Sequence, residues 1–237
     1  MHYKKKFVCF LLESEALTFG DFTLKSGRKS PYMINTGKIN SGASLSRMGC
    51  FYARAIYEKM ELGVVPWDTT ILFGSAYKGI PIAAATSIAL AAAFDFDIGW
   101  AFNRKEAKDH GEGGVFVGMK PAAGDRVLIV DDVMTAGTAL RDTVDLLGAY
   151  APEAKVVGSV IAVDRKEHGR DARLSAVAET QYELGIPIFS IIDIDEILTI
   201  LKGGDFEHDY NSDAKAALPT MDQIKAIEVY LSEYRVK

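Results

Sequence analysis

The chain has 237 residues, 49% of them hydrophobic and 25% charged, which is ordinary for a globular protein with a sizeable core in one large domain or a domain with a small appendage. Its formal net charge of −5 excludes a global positive field that would recruit nucleic acid. Any anion-binding site must therefore be a local cluster of basic residues.

The N-terminal stretch has helical spacing of apolar residues up to about Leu17. Its basic start and apolar middle resemble a signal peptide only faintly, because Glu13 and Glu15 follow quickly and no small-residue cleavage site appears. Cys9 in this stretch and Cys50 further along fall in apolar helical patterns, which predicts two buried free thiols. Buried free thiols fit a reducing compartment, so we expect a cytoplasmic protein.

The next segment, "FTLKSGRKSPYMIN", predicts short strand-like pieces that are broken at Ser26-Gly27 and again at Ser30-Pro31. A helix follows, and Ser44 is its expected N-cap. The apolar stripe of this helix consists of Leu45, Met48, Phe51, Tyr52, Ala55, Ile56 and Met60.

Strand patterns then alternate with helical patterns. The strands are "TTILF", "IGWAF", "RVLIV", "KVVGSVIAV" and "PIFSIID". Because they are continuous apolar runs, they predict an α/β fold with a parallel sheet flanked by helices on both faces. The stretch "IPIAAATSIALAAAF" is too short to span a bilayer and predicts a buried helix, so no membrane contact is expected. A polar connector leads to a last amphipathic helix with Ile224, Ile227, Leu231 and Tyr234 on one side.

One stretch, "VLIVDDVMTAGTAL", combines two kinds of ligand-binding group. Asp131 and Asp132 end a buried strand, at the sheet edge where ligands bind in such folds. The small residues after them lead into a helix at about Thr138, so backbone N–H groups and the helix N-terminus can hold an anion. A sugar phosphate requires both, but an ordinary strand-to-helix turn with acidic caps remains the alternative. No P-loop or GxGxxG motif is present.

This stretch resembles the phosphoribosyl-pyrophosphate (PRPP) signature of type I phosphoribosyltransferases. The resemblance implies that fold, with a small N-terminal hood. The expected division is 1–65 for the N-terminal helices and hood, 66–203 for the core, and 204–237 for the connector and C-terminal helix. It further implies that the two aspartates hold the ribose 2′- and 3′-hydroxyls and that the loop after them binds the 5′-phosphate. The loop residues assigned to PRPP are Val133, Met134, Thr135, Ala136, Gly137, Thr138 and Ala139.

Three further stretches resemble the orotate phosphoribosyltransferases in order and spacing, over about Leu17 to Leu198. The first, "NRKEAKDHGEGG", contains the cations Arg104, Lys105, Lys108 and His110, followed by glycines. This pattern predicts a mobile basic loop that closes over the leaving pyrophosphate, stabilises its charge and excludes water. A solvated loop is the alternative for these four residues. In the family this loop reaches into the neighbouring subunit's site, so the resemblance implies a homodimer with shared active sites.

The second and third stretches add PRPP contacts. "GSAYKGIPIA" predicts a second backbone anion site between a strand and a helix, and the resemblance assigns Tyr77 and Lys78 to PRPP. Without the resemblance, an ordinary turn would be the default interpretation. "FTLKSGRKSPYMIN" resembles the family's hood, in which Lys25 matches the lysine that contacts PRPP.

Four residues are assigned to orotate by the resemblance. Met33 and Ile34 stand where the family usually has aromatic residues against the pyrimidine ring, so an aromatic stack is lost. Thr135 matches a residue near the base. Arg165, in "VDRKEHG", matches the family's orotate-binding arginine, whose planar guanidinium can clamp a carboxylate. By itself, a surface arginine beside Asp164 would be the simpler interpretation.

The activity implied is the conversion of orotate and PRPP to orotidine 5′-monophosphate and pyrophosphate in pyrimidine (UMP) biosynthesis. The catalytic candidates are Lys105, Lys108, His110, Asp131 and Asp132. The implied cofactor is Mg²⁺, held by pyrophosphate and ribose oxygens with no protein residue assigned as a ligand. Two alternatives stay open: a purine or uracil phosphoribosyltransferase, and a PRPP-sensing regulator without catalysis.

Overall fold

The computed structural model of the chain describes residues 2–24, 27–108, 114–170, 173–203 and 218–236, with the backbone alone for 105–108. The helices are α1 (His2–Glu13), α2 (Gly42–Glu61), α3 (Gly79–Phe94), α4 (Thr138–Tyr150), α5 (Ala176–Leu184), α6 (Ile194–Gly203) and α7 (Met221–Tyr234). The strands are β1 (Leu17–Thr23), β2 (Lys29–Ile34), β3 (Ile71–Gly74), β4 (Gly99–Lys108), β5 (Gly114–Gly118), β6 (Arg126–Val130), β7 (Lys155–Asp164) and β8 (Ile188–Asp193).

Six of these strands form one sheet in the order β5-β4-β3-β6-β7-β8. All neighbouring pairs are parallel except β4 and β5, which are antiparallel. The sheet confirms the predicted parallel α/β architecture, and β5 is an additional edge strand that the sequence patterns did not predict. Glycines at both ends of "GVFVG" hide the strand signal of this short segment.

The sheet has an apolar core on each face because side chains alternate along its strands. Leu128 and Val130 of β6 join the core that contains residues of α1, α2, α3, α6 and α7. Val127 and Ile129 join the opposite core, which contains residues of α4. Burial on both faces explains why the predicted strands read as uninterrupted apolar runs.

The N-terminal hood is a two-stranded antiparallel sheet of β1 and β2, followed by a short 3₁₀-helix at Thr36–Lys38. The predicted break at Ser30-Pro31 is wrong, because both residues lie inside β2. A proline is tolerated there since this small sheet has only edge strands, where a missing N–H donor is harmless.

Two expectations for α2 and one for α3 need correction. Ser41, not Ser44, is the N-cap of α2, and Ser44 is the N3 partner in a reciprocal capping box. Cys9 is buried as predicted, but Cys50 is exposed because it lies on the solvent side of α2. Helix α3 is buried on one side alone, since Ile88 is 70% exposed.

The apolar stripe of α7 is confirmed, with Ile224, Ile227 and Leu231 buried against the first core. The connector at 204–217 lies outside the described residues. Among the helices that are described, none has the length and hydrophobicity needed to cross a membrane.

Candidate active site

Three predicted site segments start at the same edge of the sheet. Gly74 of β3 is in register with Val130 of β6, and Val130 is in register with Val160 of β7. The glycine-rich loop, the aspartate pair and Arg165 follow these three strands. The parallel sheet therefore brings them together, as the sequence pattern predicted.

The two adjacent aspartates occupy different environments. Asp132 is only 7% exposed, and its Oδ2 lies 2.7 Å from Lys78 Nζ. The same oxygen accepts a hydrogen bond of 2.8 Å from the hydroxyl of Thr36. Asp132 is thus an oriented carboxylate with a cation beside it.

Asp131 is less enclosed, and its Oδ1 accepts the backbone N–H of Asp132 at 2.9 Å. Burial, together with the charge of Asp132, raises the pKa of Asp131 to about 7. The hydroxyl of Tyr52 donates to the backbone carbonyl of Asp131 at 2.7 Å, which fixes the chain at this point. Near neutral pH, Asp131 can therefore either donate or accept a hydrogen bond, whereas Asp132 is held by its partners.

Thr36 is a site residue that the sequence analysis missed. It is buried in the 3₁₀-helix after the hood and is 96 positions away from Asp132. No local pattern could have identified it, because only the tertiary fold brings the hood against the carboxyl edge of the sheet.

The loop after Asp132 forms a pocket of about 230 Å³ at the N-terminus of α4. It is lined by Asp131, Val133, Met134, Thr135, Gly137, Thr138, Ala139, Leu140, Ser159 and Ile161. Within the described chain no side chain caps this helix, so its first N–H groups and its dipole are directed at the pocket. Ala136 lies in the same loop and is exposed. This geometry suits an anion such as phosphate.

Gly137 is required at the start of α4. Its φ is +71°, and a Cβ atom there would lie 2.3 Å from the hydroxyl of Thr180. Any side chain would therefore have to displace α5 or distort the loop.

The second loop, "GSAYKG", packs tightly against β6. A Cβ atom on Gly79 would lie 2.3 Å from the carbonyl oxygen of Val130, so glycine permits this close approach. The Ala76–Tyr77 peptide bond is cis. Tyr77 is 62% exposed, and Lys78 reaches Asp132 across the site. The structure therefore places Lys78 between the two predicted anion sites.

Arg165 follows β7 as predicted, but it is buried rather than at the surface. Its Nη2 lies 2.7 Å from Glu167 Oε1 and 3.3 Å from the hydroxyl of Ser30 in the hood. Its guanidinium carbon lies 4.4 Å from the centre of the Tyr32 ring. Burial alone would lower the pKa of Arg165, but Tyr32 and Glu167 raise it above its ordinary value.

The two hood residues assigned to the base point to different sides of β2. Ile34 is 7% exposed and belongs to the apolar core, so its side chain does not face the site edge. Met33 is partly exposed on the opposite side of the strand. Only Met33 can offer its side chain to a ring, whereas Ile34 can offer its backbone.

The predicted basic loop begins later than expected. Arg104 and the backbone as far as Lys108 belong to β4, because Lys108 pairs with Gly114 at the start of β5. Arg104 Nη1 donates to the carbonyl of Gly114 at 3.3 Å. Lys25, His110 and the side chains of Lys105 and Lys108 lie outside the described residues.

The described residues do not contain three metal-binding side chains grouped around one point. Asp131 and Asp132 are two oxygen donors, and Lys78 already neutralises the second. Two carboxylates are compatible with Mg²⁺, which keeps several waters and binds mainly through ligand phosphates.

A mostly parallel sheet with an aspartate pair above an uncapped helix N-terminus is the arrangement that the sequence analysis expected of a phosphoribosyltransferase. The sequence model of the family described as "Phosphoribosyl transferase domain" matches residues 51–181, more than half of the chain. The chain is therefore a phosphoribosyltransferase by fold and family.

Comparison with individual relatives shows which phosphoribosyltransferases the chain resembles. The chain is 44% identical to orotate phosphoribosyltransferase of Pseudomonas paraeruginosa over 99% of both chains. It is 52% identical to orotate phosphoribosyltransferase of Bifidobacterium adolescentis over 81% of this chain and 83% of the relative. The crystal structure of orotate phosphoribosyltransferase from Francisella tularensis superposes with a TM-score of 0.78 at 35% identity, covering 97% of this chain and 98% of that one. The chain belongs to the orotate phosphoribosyltransferase family.

Proposed function

We propose that this protein transfers the 5-phosphoribosyl group from PRPP to orotate, giving orotidine 5′-monophosphate and pyrophosphate in pyrimidine biosynthesis. The observation that carries the proposal is the aspartate pair above the uncapped N-terminus of α4, with a buried arginine at the end of the next strand. The family membership supports orotate as the acceptor.

The proposed roles on the sugar side follow from the two carboxylate environments. Asp132 is oriented by Thr36 and Lys78 and accepts a ribose hydroxyl, while Asp131 binds the adjacent hydroxyl. The loop from Val133 to Ala139 holds the 5′-phosphate with backbone N–H groups. Lys78, whose side chain is half exposed, turns from Asp132 toward the pyrophosphate when PRPP binds.

In the reaction, the C1–O bond to pyrophosphate breaks and its electron pair leaves with the pyrophosphate. A new bond forms between C1 and N1 of orotate, and the N1 proton passes to solvent water. Because charge builds up on the leaving group, stabilising cations matter more than a protein nucleophile. Lys25, Tyr77, Arg104, Lys105, Lys108 and His110 are the proposed PRPP contacts on this side, with His110 as a proton donor.

Phosphoribosyltransferases generally use Mg²⁺ with PRPP. We propose Mg²⁺ as the cofactor here, held chiefly by substrate oxygens, where it neutralises pyrophosphate charge. Asp131 and Asp132 are the oxygen donors that would contact it, through its bound waters.

On the base side, Arg165 is proposed to bind the orotate carboxylate or a ring carbonyl, with Met33, the backbone of Ile34, and Thr135 around the ring. The buried position of Arg165 supports this role, since a desolvated guanidinium discriminates strongly for an anion.

The direct test is pyrophosphate release from Mg-PRPP with orotate, uracil, hypoxanthine and adenine in parallel. We expect turnover with orotate alone. Turnover with uracil or a purine would assign another phosphoribosyltransferase, and PRPP binding without turnover of any base would indicate a regulator.

We also propose a homodimer in which the basic loop of one subunit serves the site of the other. Lys105→Ala and the Asp131→Asn/Asp132→Asn double variant should each be inactive, but subunit exchange should restore about a quarter of wild-type activity, because about half of the dimers are mixed and carry one intact site. A mixture as inactive as its parents, after verified exchange, would contradict shared sites but not the activity.

A further inference from the structure

A buried polar cluster surrounds Arg165 and joins three parts of the chain. Arg28 and Tyr32 come from the hood, Arg165 and Glu167 follow β7, and Tyr230 comes from α7. Helix α7 lies outside the 51–181 segment that matches the phosphoribosyltransferase family model. The cluster therefore links the proposed base site to a part of the chain beyond the family core.

Glu167 is the centre of this cluster. Its side chain is 11% exposed, and its Oε1 accepts from Arg165 Nε at 2.8 Å and from the Tyr32 hydroxyl at 3.1 Å. Its Oε2 accepts from Arg28 Nη1 at 3.4 Å. One largely enclosed carboxylate thus contacts both the predicted base arginine and the hood.

The backbone around Glu167 is fastened to the end of α7. Glu167 and Arg235 form an antiparallel β-bridge, and the N–H of His168 donates to the carbonyl of Tyr234 at 2.8 Å. The ring of Tyr230 packs edge-on against Tyr32, with centroids 6.0 Å apart. Since α7 is anchored in the core by its apolar stripe, the position of Glu167 is set by the fold and not by a free loop.

The charges of the cluster suit an anionic substrate. Arg165, Arg28 and Glu167 carry two positive charges and one negative charge among them, so one positive charge is in excess. An arginine side chain has many rotamers, and a ligand that must order it loses affinity. Glu167 contacts both Nε and Nη2 of Arg165, which restricts the guanidinium before any ligand arrives.

Building on the proposed function, we propose that Glu167 is a positioning residue for orotate. It holds the Arg165 guanidinium in a binding orientation, ties that orientation to α7, and leaves the cluster with one positive charge for the one carboxylate of the substrate.

Glu167→Gln tests this role because it keeps the shape of the side chain and removes its charge. We expect the KM for orotate to rise about tenfold, while kcat and the KM for PRPP stay within about twofold of wild type. Glu167→Asp retains the charge and should recover part of the orotate affinity.

Glu179→Gln is the matched control. Glu179 is a carboxylate that is 9% exposed, and it accepts the backbone N–H of Arg170, shortly after Glu167 in the chain. It does not contact Arg165. We expect the Glu179→Gln variant to have the wild-type KM for orotate. The proposal would be overturned if the KM for orotate rose equally in Glu167→Gln and Glu179→Gln, or if the KM values for orotate and PRPP rose equally in Glu167→Gln. Either result would show that Glu167 has only a structural role.

If circular dichroism shows that Glu167→Gln does not fold, Tyr32→Phe is the alternative test. It removes only the hydroxyl group that donates a hydrogen bond to Glu167. Its orotate KM should rise about two- to threefold, and an unchanged value would overturn the proposal. If the wild-type protein is active and the variants keep its KM for orotate, the role of Glu167 is contradicted but the proposed function is not. Wild-type protein that releases no pyrophosphate with orotate contradicts the proposed function as well.

Discussion

The proposed ribose-phosphate side of the site is built mainly from one continuous segment, residues 131–139, which Thr36 and Lys78 complete through contacts with Asp132. The proposed base side, by contrast, is assembled entirely from segments far apart in the chain. Ser30 and Arg165, which contact each other on the base side, are 135 positions apart. The first side depends on a strand end, a glycine and a helix N-terminus, which are local features. The second depends on how the hood and α7 pack against the core.

This difference suggests how substitutions will act. Changes on the proposed ribose-phosphate side should chiefly impair PRPP binding. Changes on the base side should alter orotate recognition and also disturb the contacts that hold the hood and α7 in place.

The largest effect is expected for the Asp131→Asn/Asp132→Asn double variant. Turnover should fall by about three orders of magnitude or more, because both carboxylates proposed to bind the ribose hydroxyls are lost. The melting temperature should stay equal or rise, since the variant removes the repulsion between two neighbouring carboxylates. Steady-state kinetics and thermal unfolding measure the two effects, and near-normal activity would remove both residues from the site.

Arg165→Ala should impair orotate recognition but not PRPP binding. Orotate affinity should weaken by about 2–5 kcal/mol, because the partner charge of the substrate is lost and Glu167 remains buried. The KM for PRPP should change little. Arg165→Lys is the control, since it keeps the charge but not the planar donor fork. An unchanged KM for orotate in Arg165→Ala would show that another group binds the base.

Gly137→Ala tests how closely the proposed phosphate loop packs against α5. The new Cβ atom would collide with Thr180 at a residue with φ of +71°, so we expect a stability loss of about 1–3 kcal/mol and a KM for PRPP raised about tenfold.

Gly148→Ala in the same helix is the matched control, because a Cβ atom at that position would meet no neighbouring group within 4 Å. That variant should be more stable by about 0.5–1 kcal/mol, with unchanged kinetics. Equal behaviour of the two variants would contradict a special role for Gly137.

The last effect is on stability rather than on turnover, and it arises from the raised pKa of Asp131. Because the pKa of Asp131 is raised to about 7, its carboxyl group stays protonated in the folded protein between about pH 4 and pH 7. In the unfolded chain the same group is ionised over this range. This contribution to stability is lost as the pH rises toward 7. Relative to Asp131→Asn, wild-type unfolding free energy should therefore fall by about 1–3 kcal/mol across that window. Parallel curves in urea titrations at each pH would show that Asp131 has no raised pKa.

The sequence by itself determined the features that depend on local chemistry. Continuous apolar runs specified the parallel strands, since both faces of the sheet are buried. The aspartate pair before a small-residue turn specified the strand end and helix start on which the proposed ribose-phosphate side is built. The cap of α2 was misplaced by three residues, from Ser41 to Ser44, because either serine alone is a credible cap and only the reciprocal hydrogen bonds distinguish them.

Only the tertiary structure decided the features that depend on long-range packing. Strand β5 forms because it pairs with β4, and the contacts of Asp132 with Thr36 and of Arg165 with Glu167 and the hood arise when separate segments meet. Cys50 is exposed despite its apolar neighbours because the orientation of α2 against the core sets which side is buried. The physical reason is the same in each case: a hydrogen bond, a buried charge or a strand pairing between residues far apart in the chain leaves no periodic signal in the sequence.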